Sequence, residues 1–198
     1  PPAPQLGQTI NLSVFPPLGF GATGGEIFYR QSGEQSYSSS ILTLQDTTYI
    51  TSIPPQFSTI KGVEFYIVFT DGLNTVTYPT TNPITQPAIL QINVPVFPFQ
   101  GLIPDAEYRM VSIPWTINNP DILSVFGDDY GQYDSTMWRI FRWNQSINDY
   151  DEFPESDFIP GNAFWLIHKE GKPFDIEDAL SVQSSSDFVI TLQANSWT

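Results

Sequence analysis

The feature of this sequence that most restricts its fold is the strongly apolar run of residues 137–143, which carries bulky side chains on two faces. Successive side chains of a β-strand point to opposite faces, so Trp138 and Ile140 would lie on one face and Phe141 and Trp143 on the other. A strand that is apolar on both faces must be covered on both. We therefore predict that this strand is central and that the rest of its domain wraps around it.

The composition predicts an all-β protein. The 198 residues include 18 prolines and 13 glycines, with polar clusters between the apolar runs, so the turns are frequent and the elements short. One segment has the signals of a helix: Asn119 as the cap, Pro120 at the first helical position, Asp121 in the first turn and Gly127 as the stop. The chain is 40% hydrophobic, which is enough apolar material for packed cores.

A shift in charge along the chain predicts two domains. Residues 1–98 contain five acidic and two basic side chains, whereas residues 99–198 contain sixteen and five, together with all five tryptophans. We assign residues 1–7 to a linker, residues 8–98 to the first domain and residues 99–198 to the second. We expect the second domain to be truncated at its C-terminal end, and the chain to be a fragment of a longer protein.

The net charge of −14 restricts the partners. Nucleic-acid binding needs clustered Lys and Arg, so we predict no nucleic-acid partner, and anionic membranes are disfavoured for the same reason. No apolar run reaches the roughly 18 residues of a transmembrane helix, so we predict no direct membrane insertion. The chain has no cysteine, which indicates either a cytosolic protein or a bacterial surface protein.

The first part of the chain has about seven short, evenly spaced strands, a number typical of a β-sandwich. Residues 28–30, 49–54 and 62–67, with the turn at Asp71 and Gly72, resemble the immunoglobulin-like or fibronectin type III-like modules of large secreted bacterial surface proteins. The resemblance implies an N-terminal immunoglobulin-like sandwich over residues 8–98. Such a module acts as a scaffold or spacer and has no active site.

The second part resembles a different module. Residues 108–114, 138–143 and 160–167 are similar to an uncharacterised, Trp-rich C-terminal β-module that follows such sandwiches in bacteria with type IX-like secretion. The resemblance implies a second β-rich domain with one short helix. It also implies a secreted or cell-surface location on a bacterium.

Aromatic side chains are the candidates for a ligand-binding surface. Exposed Trp and Tyr rings have an apolar body and a polar tip, and they can stack on sugar rings. The candidates are Trp115, Trp138, Trp143, Tyr150 and Trp165. The alternative is that the tryptophans belong to the core, and we expect two or three of these four to be buried.

Carboxylates in one loop are the candidates for a metal site. Asp128, Asp129 and Asp134 lie in a glycine-containing loop, and calcium prefers oxygen ligands. The spacing differs from that of an EF-hand, so a solvated loop at the helix end is the alternative. No other cofactor is predicted. His168 is the single histidine, and its position at the end of an apolar strand favours a structural role.

These observations predict a non-catalytic structural or interaction module of a secreted or cell-surface multidomain bacterial protein, used for adhesion, display or spacing. Its expected partners are other domains of the same longer chain and a glycan or a surface protein. One alternative is a carbohydrate-binding module that uses exposed Trp and Tyr rings. Another is a hydrolase fragment with an acidic site, which would need two carboxylates roughly 5–10 Å apart across a sugar.

Overall fold

A computed structural model of the chain describes residues 3–99, 103–153 and 157–182. Within these residues the protein is all-β, as predicted, with fifteen strands and one α-helix. The described residues divide into two compact units. The first runs to Asn93 and includes Ser181 and Val182, and the second runs from Val94 to Leu180. The predicted end of the second domain lies outside the described residues.

The first unit is built from two antiparallel sheets. The strands are β1 (Ile10–Val14), β2 (Gly24–Gln31), β3 (Ser38–Ile41), β4 (Thr43–Gln45), β5 (Thr48–Ile53), β6 (Val63–Thr70), β7 (Thr75–Tyr78) and β8 (Ala88–Leu90). One sheet has the order β1-β5-β4, and the other has the order β3-β2-β6-β7, with β8 also paired to β6. A short 3-10 helix, Pro55–Phe57, lies between β5 and β6.

One hydrophobic core joins the two sheets of the first unit. Ile10 and Ile53 come from the smaller sheet, and Ile27 and Ile67 come from the larger one. Their alternation with more exposed neighbours follows the two-residue period of a strand with one buried face. The apolar strand β6 lies in the middle of its sheet, because β2 flanks one side and β7 and β8 share the other.

Residues 40–44 are divided between the two sheets. Ile41 is paired with β2 in the larger sheet, whereas Thr43 is paired with β5 in the smaller one. Between them, Leu42 is buried, and its N–H donates to the carbonyl of Gly25 at 2.9 Å. The chain therefore crosses from one sheet to the other at Leu42.

Two further segments complete the first unit. Residues 4–6, assigned to a linker from the sequence, pair with Asn93: its N–H donates to Pro4 O at 2.7 Å, and Leu6 N–H donates to its carbonyl at 3.0 Å. Ser181 is fully buried, and its hydroxyl accepts a hydrogen bond from Ile92 N–H at 2.8 Å. Segments from both ends of the described chain thus contribute to this unit.

The second unit has two sheets and the helix. The elements are β9 (Asn93–Phe99), β10 (Arg109–Val111), β11 (Thr116–Ile117), α1 (Ile122–Tyr130), β12 (Trp138–Asn144), β13 (Asp149–Glu152), β14 (Phe164–His168) and β15 (Phe174–Leu180). The sheets have the orders β10-β14-β12-β13 and β11-β15-β9. Phe126 of the helix packs against Trp138 of the first sheet and Phe174 of the second, so both sheets contribute to its surroundings.

The helix exists where the sequence predicts one, but both of its ends lie later. Its cap is Asp121 and not Asn119, because the Asp121 carboxylate accepts the Ser124 N–H at 3.0 Å. Gly127 lies inside the helix. The helix stops before Gly131, whose φ of 79° is in the region that glycine adopts readily. Among the described residues, no helix has the length and apolar character of a membrane span.

Strand β12 is central in its sheet, as predicted, since β14 and β13 flank it. The prediction that both of its faces are covered is wrong. Trp138 and Ile140 are buried, whereas Phe141 and Trp143 are only half-buried. An antiparallel sheet can leave one face toward solvent, and here that face keeps its large aromatic side chains.

Candidate functional site

The partly open face of the sheet β10-β14-β12-β13 brings together aromatic side chains from neighbouring strands. Met110 is paired with Trp165, Trp165 with Phe141, and Trp143 with Tyr150. Directly paired residues point to the same face of a sheet, so these side chains share one surface. We call this surface the aromatic face, and it consists of Tyr108, Met110, Phe141, Trp143, Tyr150 and Trp165.

A groove lies within the aromatic face. It is lined by Tyr108, Phe141, Tyr150 and Trp165, and its volume is about 380 Å³. That volume is near the lower end of the roughly 300–1,000 Å³ typical of small-molecule sites. Tyr108 and Tyr150 are 48% and 47% exposed, so their rings are accessible to a ligand. All four lining residues named here are aromatic.

Ring-to-ring contacts support the two tyrosines of the groove. The centroids of Tyr108 and Phe141 are 5.8 Å apart, and those of Trp143 and Tyr150 are 5.2 Å apart, both in edge-to-face geometry. Edge-to-face packing is a favoured arrangement of aromatic pairs. Each exposed tyrosine is therefore supported by a half-buried ring beside it, which limits the orientations that it can adopt.

A charged network borders the aromatic face. Arg139 lies over the Phe141 ring at 4.7 Å and donates two hydrogen bonds to Glu152, at 2.7 and 2.6 Å. The Tyr133 hydroxyl also donates to Glu152. Hydrogen bonds from Arg139 and then Tyr133 lower the pKa of Glu152 to about 2. Glu152 is therefore ionised at neutral pH, and the positive charge of Arg139 offsets its charge.

The structure separates the five predicted ligand-binding residues into two groups. Trp143, Tyr150 and Trp165 lie on the aromatic face. Trp115 and Trp138 are only 3% and 1% exposed, so neither can offer a ring face to a ligand. As residues of the core, they pack against other aromatic side chains, Trp115 at 4.5 Å from Phe97 and Trp138 at 6.1 Å from Phe126.

Two residues of the groove were missed from the sequence. Phe141 shares its strand face with Trp143, so the two-residue period that singles out Trp143 also points to Phe141. Tyr108 lies two residues before Met110, just ahead of β10, so the two-residue period of a strand places it on the same face as Met110. The pattern was therefore available, but both residues are ordinary core types and only the open face distinguishes them.

The three aspartates predicted to bind calcium do not form one site. The Asp134 carboxylate accepts the Thr136 N–H at 2.9 Å and its hydroxyl at 2.7 Å, and these bonds lower the pKa of Asp134. Asp129 accepts the N–H of Asp175 at 2.8 Å. Asp128 belongs to a different cluster. Local hydrogen bonds thus direct the three carboxylates to separate partners.

The acidic cluster that the structure does show contains Asp128, Asp175 and Glu177, whose nearest ligand atoms lie within 4.8 Å of one another. These residues border a cavity of about 230 Å³ that Asn118 and Ser124 also line. Burial raises the pKa of Asp175, and the nearby charges of Asp129 and Asp128 raise it further. One carboxylate oxygen of Asp175, Oδ1, is buried without a hydrogen-bond partner among the described residues.

His168 has a structural environment. Its side chain is buried at the end of β14, and its Nδ1 accepts the N–H groups of Glu170 and Lys172 at 3.1 and 3.3 Å. Burial lowers the pKa of His168, and the Tyr130 ring packs 4.7 Å from it. His168 is paired with Trp138 on the buried side of the sheet, so it does not belong to the aromatic face.

Comparison of this chain with protein-family models, curated proteins and solved structures finds no match.

Proposed function

We propose that this chain is a non-catalytic binding module that holds an uncharged carbohydrate against the aromatic face. The observation that carries the proposal is the groove lined by Tyr108, Phe141, Tyr150 and Trp165. Sugar rings present apolar C–H groups on their faces and hydroxyl groups at their edges. A tyrosine ring matches both, because its body is apolar and its hydroxyl forms hydrogen bonds.

The charged groups beside the groove favour binding over hydrolysis. A glycosidase needs a carboxylic acid that is protonated near neutral pH and a second carboxylate across the scissile bond. Glu152 has a pKa of about 2, and both of its oxygens accept hydrogen bonds from Arg139. It is therefore unsuited to donate a proton to a leaving group.

The charge of the chain supports an uncharged ligand. Residues 99–198 contain sixteen acidic and five basic side chains, so an acidic polymer would be repelled. On the border of the aromatic face, the charges of Arg139 and Glu152 offset each other. A neutral sugar chain avoids both the general repulsion and the need for an unpaired cation.

We further infer that the first unit is an immunoglobulin-like module that acts as a scaffold. The support is its two antiparallel sheets, with the orders β1-β5-β4 and β3-β2-β6-β7 around one core, which suit a sandwich of that class. A secreted or bacterial cell-surface location, and partnership with other domains of a longer chain, belong to the same proposal. An adhesion role would follow if the glycan belongs to a surface.

The test measures the binding of the 198-residue chain to a panel of neutral polysaccharides by affinity electrophoresis and calorimetry. Tyr150→Ala should weaken binding about tenfold or more. The magnitude follows the roughly 1–3 kcal/mol that an aromatic side chain contributes when the ring of a nucleic-acid base stacks on it. Phe15→Ala is the matched control, since Phe15 is also an exposed aromatic residue but belongs to the first unit. Failure to bind any neutral glycan, or equal losses in both variants, would contradict the proposal.

A further inference from the structure

The carboxylate of Glu152, on the border of the aromatic face, is already occupied by donors of the protein. Arg139 donates to its two oxygens at 2.7 and 2.6 Å, and the Tyr133 hydroxyl donates to one of them. Within the groove, Phe141 has no polar side-chain atom, and the indole N–H of Trp165 only donates. The two tyrosine hydroxyls are therefore the side-chain acceptors of the four lining residues, and a ligand finds few other acceptors there.

Arg139, in contrast, keeps N–H donors that the carboxylate does not use. A guanidinium group has five N–H donors in one plane. Because Nε and Nη2 bind Glu152, the third nitrogen, Nη1, points away from that carboxylate, and no hydrogen bond to another described residue uses it. The guanidinium carbon lies 4.7 Å from the centre of the Phe141 ring, and Phe141 lines the groove. Nη1 is therefore a charged donor beside the groove.

A charged donor next to aromatic rings matches an acetyl group. The carbonyl oxygen of an acetyl group only accepts hydrogen bonds, and its methyl group needs none. A hydrogen bond from a charged donor is stronger than one between neutral groups, and covering the methyl group adds to it. Met110, which is paired with Trp165 and is 59% exposed, extends the apolar surface for such a group. A sugar hydroxyl in the same place accepts a bond from Arg139 but brings no apolar group.

We propose that the aromatic face selects a neutral sugar that carries an acetyl group, on nitrogen or on oxygen. The acetyl carbonyl accepts from Nη1 of Arg139, and the methyl group packs against the aromatic rings. This inference rests on the proposed function and names its ligand class. Glu152 is a positioning residue in this arrangement, because its two hydrogen bonds hold the guanidinium group in place.

The first experiment compares ligands that differ in the acetyl group alone, by calorimetry with the 198-residue chain. Triacetylchitotriose and cellotriose share β-1,4-linked rings and differ in having an acetamido group or a hydroxyl. Xylo-oligosaccharides with and without O-acetyl groups give the second pair. At least one acetylated ligand should bind about tenfold or more tightly than its counterpart, and the pair that shows the difference tells nitrogen from oxygen. A smaller difference in both pairs, with any neutral glycan bound, would overturn the inference and leave the proposed function intact. Binding to no neutral glycan would overturn both.

The second experiment tests the role of Arg139. Arg139→Met lacks the donor and should bring the affinity ratio of the acetylated and unacetylated ligands close to one. Disturbance of the fold would weaken both ligands alike, so the ratio isolates the loss of the donor. Arg109→Met is the matched control, because Arg109 is exposed but is paired with the buried Leu166 and lies on the other side of the sheet. It should change neither affinity. An unchanged ratio in Arg139→Met would contradict the bond between the carbonyl and Arg139.

A third measurement needs no variant. The proton NMR signal of the acetyl methyl group should move upfield when the ligand binds the wild-type protein, because the methyl group lies over an aromatic ring. A methyl signal that does not move on binding would overturn the packing part of the inference.

Discussion

Arg139 on β12 and Glu152 on β13 are diagonal neighbours across two paired strands, and two parallel hydrogen bonds of 2.7 and 2.6 Å join their side chains. Both side chains are partly exposed, so solvent weakens their attraction. The bidentate geometry offsets part of that loss, because one arrangement forms two charge-assisted bonds. The pair therefore fixes the border of the aromatic face more than it stabilises the fold.

Replacing Glu152 by glutamine should lower the melting temperature at pH 7 by roughly 1–3 °C. The pKa of Glu152 is about 2 in the folded protein, below its ordinary value of 4.5. A carboxyl group whose pKa is lowered by folding stabilises the folded protein at pH values above its pKa in the unfolded chain. This contribution is lost as the pH falls toward 2. The difference in melting temperature between the wild-type protein and Glu152→Gln should therefore shrink from pH 5 to pH 2.

Glu107→Gln, in a more exposed and longer ion pair, is the control. A difference that stays constant down to pH 2 would contradict the prediction.

Arg30 and Glu64 form a second ion pair, in the first unit, whose environment is very different. Their closest atoms are 2.6 Å apart, and the side chains are only 16% and 7% exposed. Arg30→Met removes the cation that offsets the buried charge of Glu64, and we expect a loss of about 3 kcal/mol in the free energy of unfolding. The double variant with Glu64→Leu should recover much of that loss. Urea unfolding followed by circular dichroism measures both. A double variant less stable than Arg30→Met would show that the charge of Glu64 does not cause the loss.

The sequence predicted the strands well because their signal is local. Alternating apolar residues identify a buried face, and Asp71 with Gly72 identifies the turn between β6 and β7, where Gly72 has a φ of 95°. The sheet to which a strand belongs is decided by pairing with residues that are distant in the sequence. Ile41, Leu42 and Leu44 are close together in the sequence, and only the long-range pairing of residues 40–44 shows that the chain crosses between sheets at Leu42.

The candidate site shows the same limit. Trp138 and Trp143 occupy the same strand, and their residue type gives no information on which of them is buried. Phe126 of the helix packs against Trp138 and helps to bury it, whereas Trp143 lies on the partly open side. Similarly, the aspartates nearest to Asp128 in sequence have other hydrogen-bond partners. Its actual neighbours, Asp175 and Glu177, come from β15.

Gly171 should be less tolerant of alanine than Gly131. Both have positive φ angles, of 60° and 79°, and the ψ of −169° at Gly131 lies in a region that is nearly restricted to glycine, so each alanine incurs a backbone cost of roughly 1–3 kcal/mol. A Cβ on Gly171 would also lie 2.7 Å from Asp105 N and 2.9 Å from Ile103 O, whereas Gly131 has open space. We expect Gly131→Ala to cost roughly 1–3 kcal/mol and Gly171→Ala to cost more than about 3 kcal/mol, because only Gly171→Ala adds a steric overlap to the backbone cost.

Urea unfolding followed by tryptophan fluorescence measures this pair of variants. Residues 1–93 contain no tryptophan, so the signal comes from residues of the second unit and not from the first. Equal losses in Gly171→Ala and Gly131→Ala would mean that the backbone around Asp105 moves to accept the methyl group. That outcome would contradict the steric part of the prediction.

His168 should titrate below its ordinary pKa of 6.5. Burial is the main cause of the lowered pKa, and protonation would also remove the acceptor that bonds to Glu170 and Lys172. Since the unfolded chain takes up the proton first, the fold should lose stability as the pH falls below about 6.5. His168 is the only histidine, so the NMR shift of one imidazole during a pH titration gives the answer directly. A midpoint at or above 6.5 would contradict the buried, neutral state.

Asp175→Asn should stabilise the protein at pH 7. Burial and the charges of Asp129 and Asp128 raise the pKa of Asp175, so ionisation of this group at neutral pH works against the fold. The protonated form of Asp175 stabilises the fold at pH values below 3.8, the ordinary pKa of this group. That contribution is lost as the pH rises through the raised pKa of Asp175 in the folded protein. Asparagine keeps the shape of the side chain, lacks the charge, and can donate to the carboxylate of Asp128 or Glu177. We expect a gain of roughly 2–4 °C in melting temperature at pH 7, and little gain near pH 3.

Glu34→Gln is the control for this gain, because it removes one negative charge from an exposed position in the first unit. It should change the melting temperature little at either pH.

Melting with millimolar calcium and with a chelator provides a second comparison. Calcium that stabilises the wild-type protein but not Asp175→Asn would mean that the three carboxylates act together as ligands. In that case their mutual repulsion would serve binding, and the variant would be less stable than the wild-type protein whenever calcium is present, opposite to the expected sign.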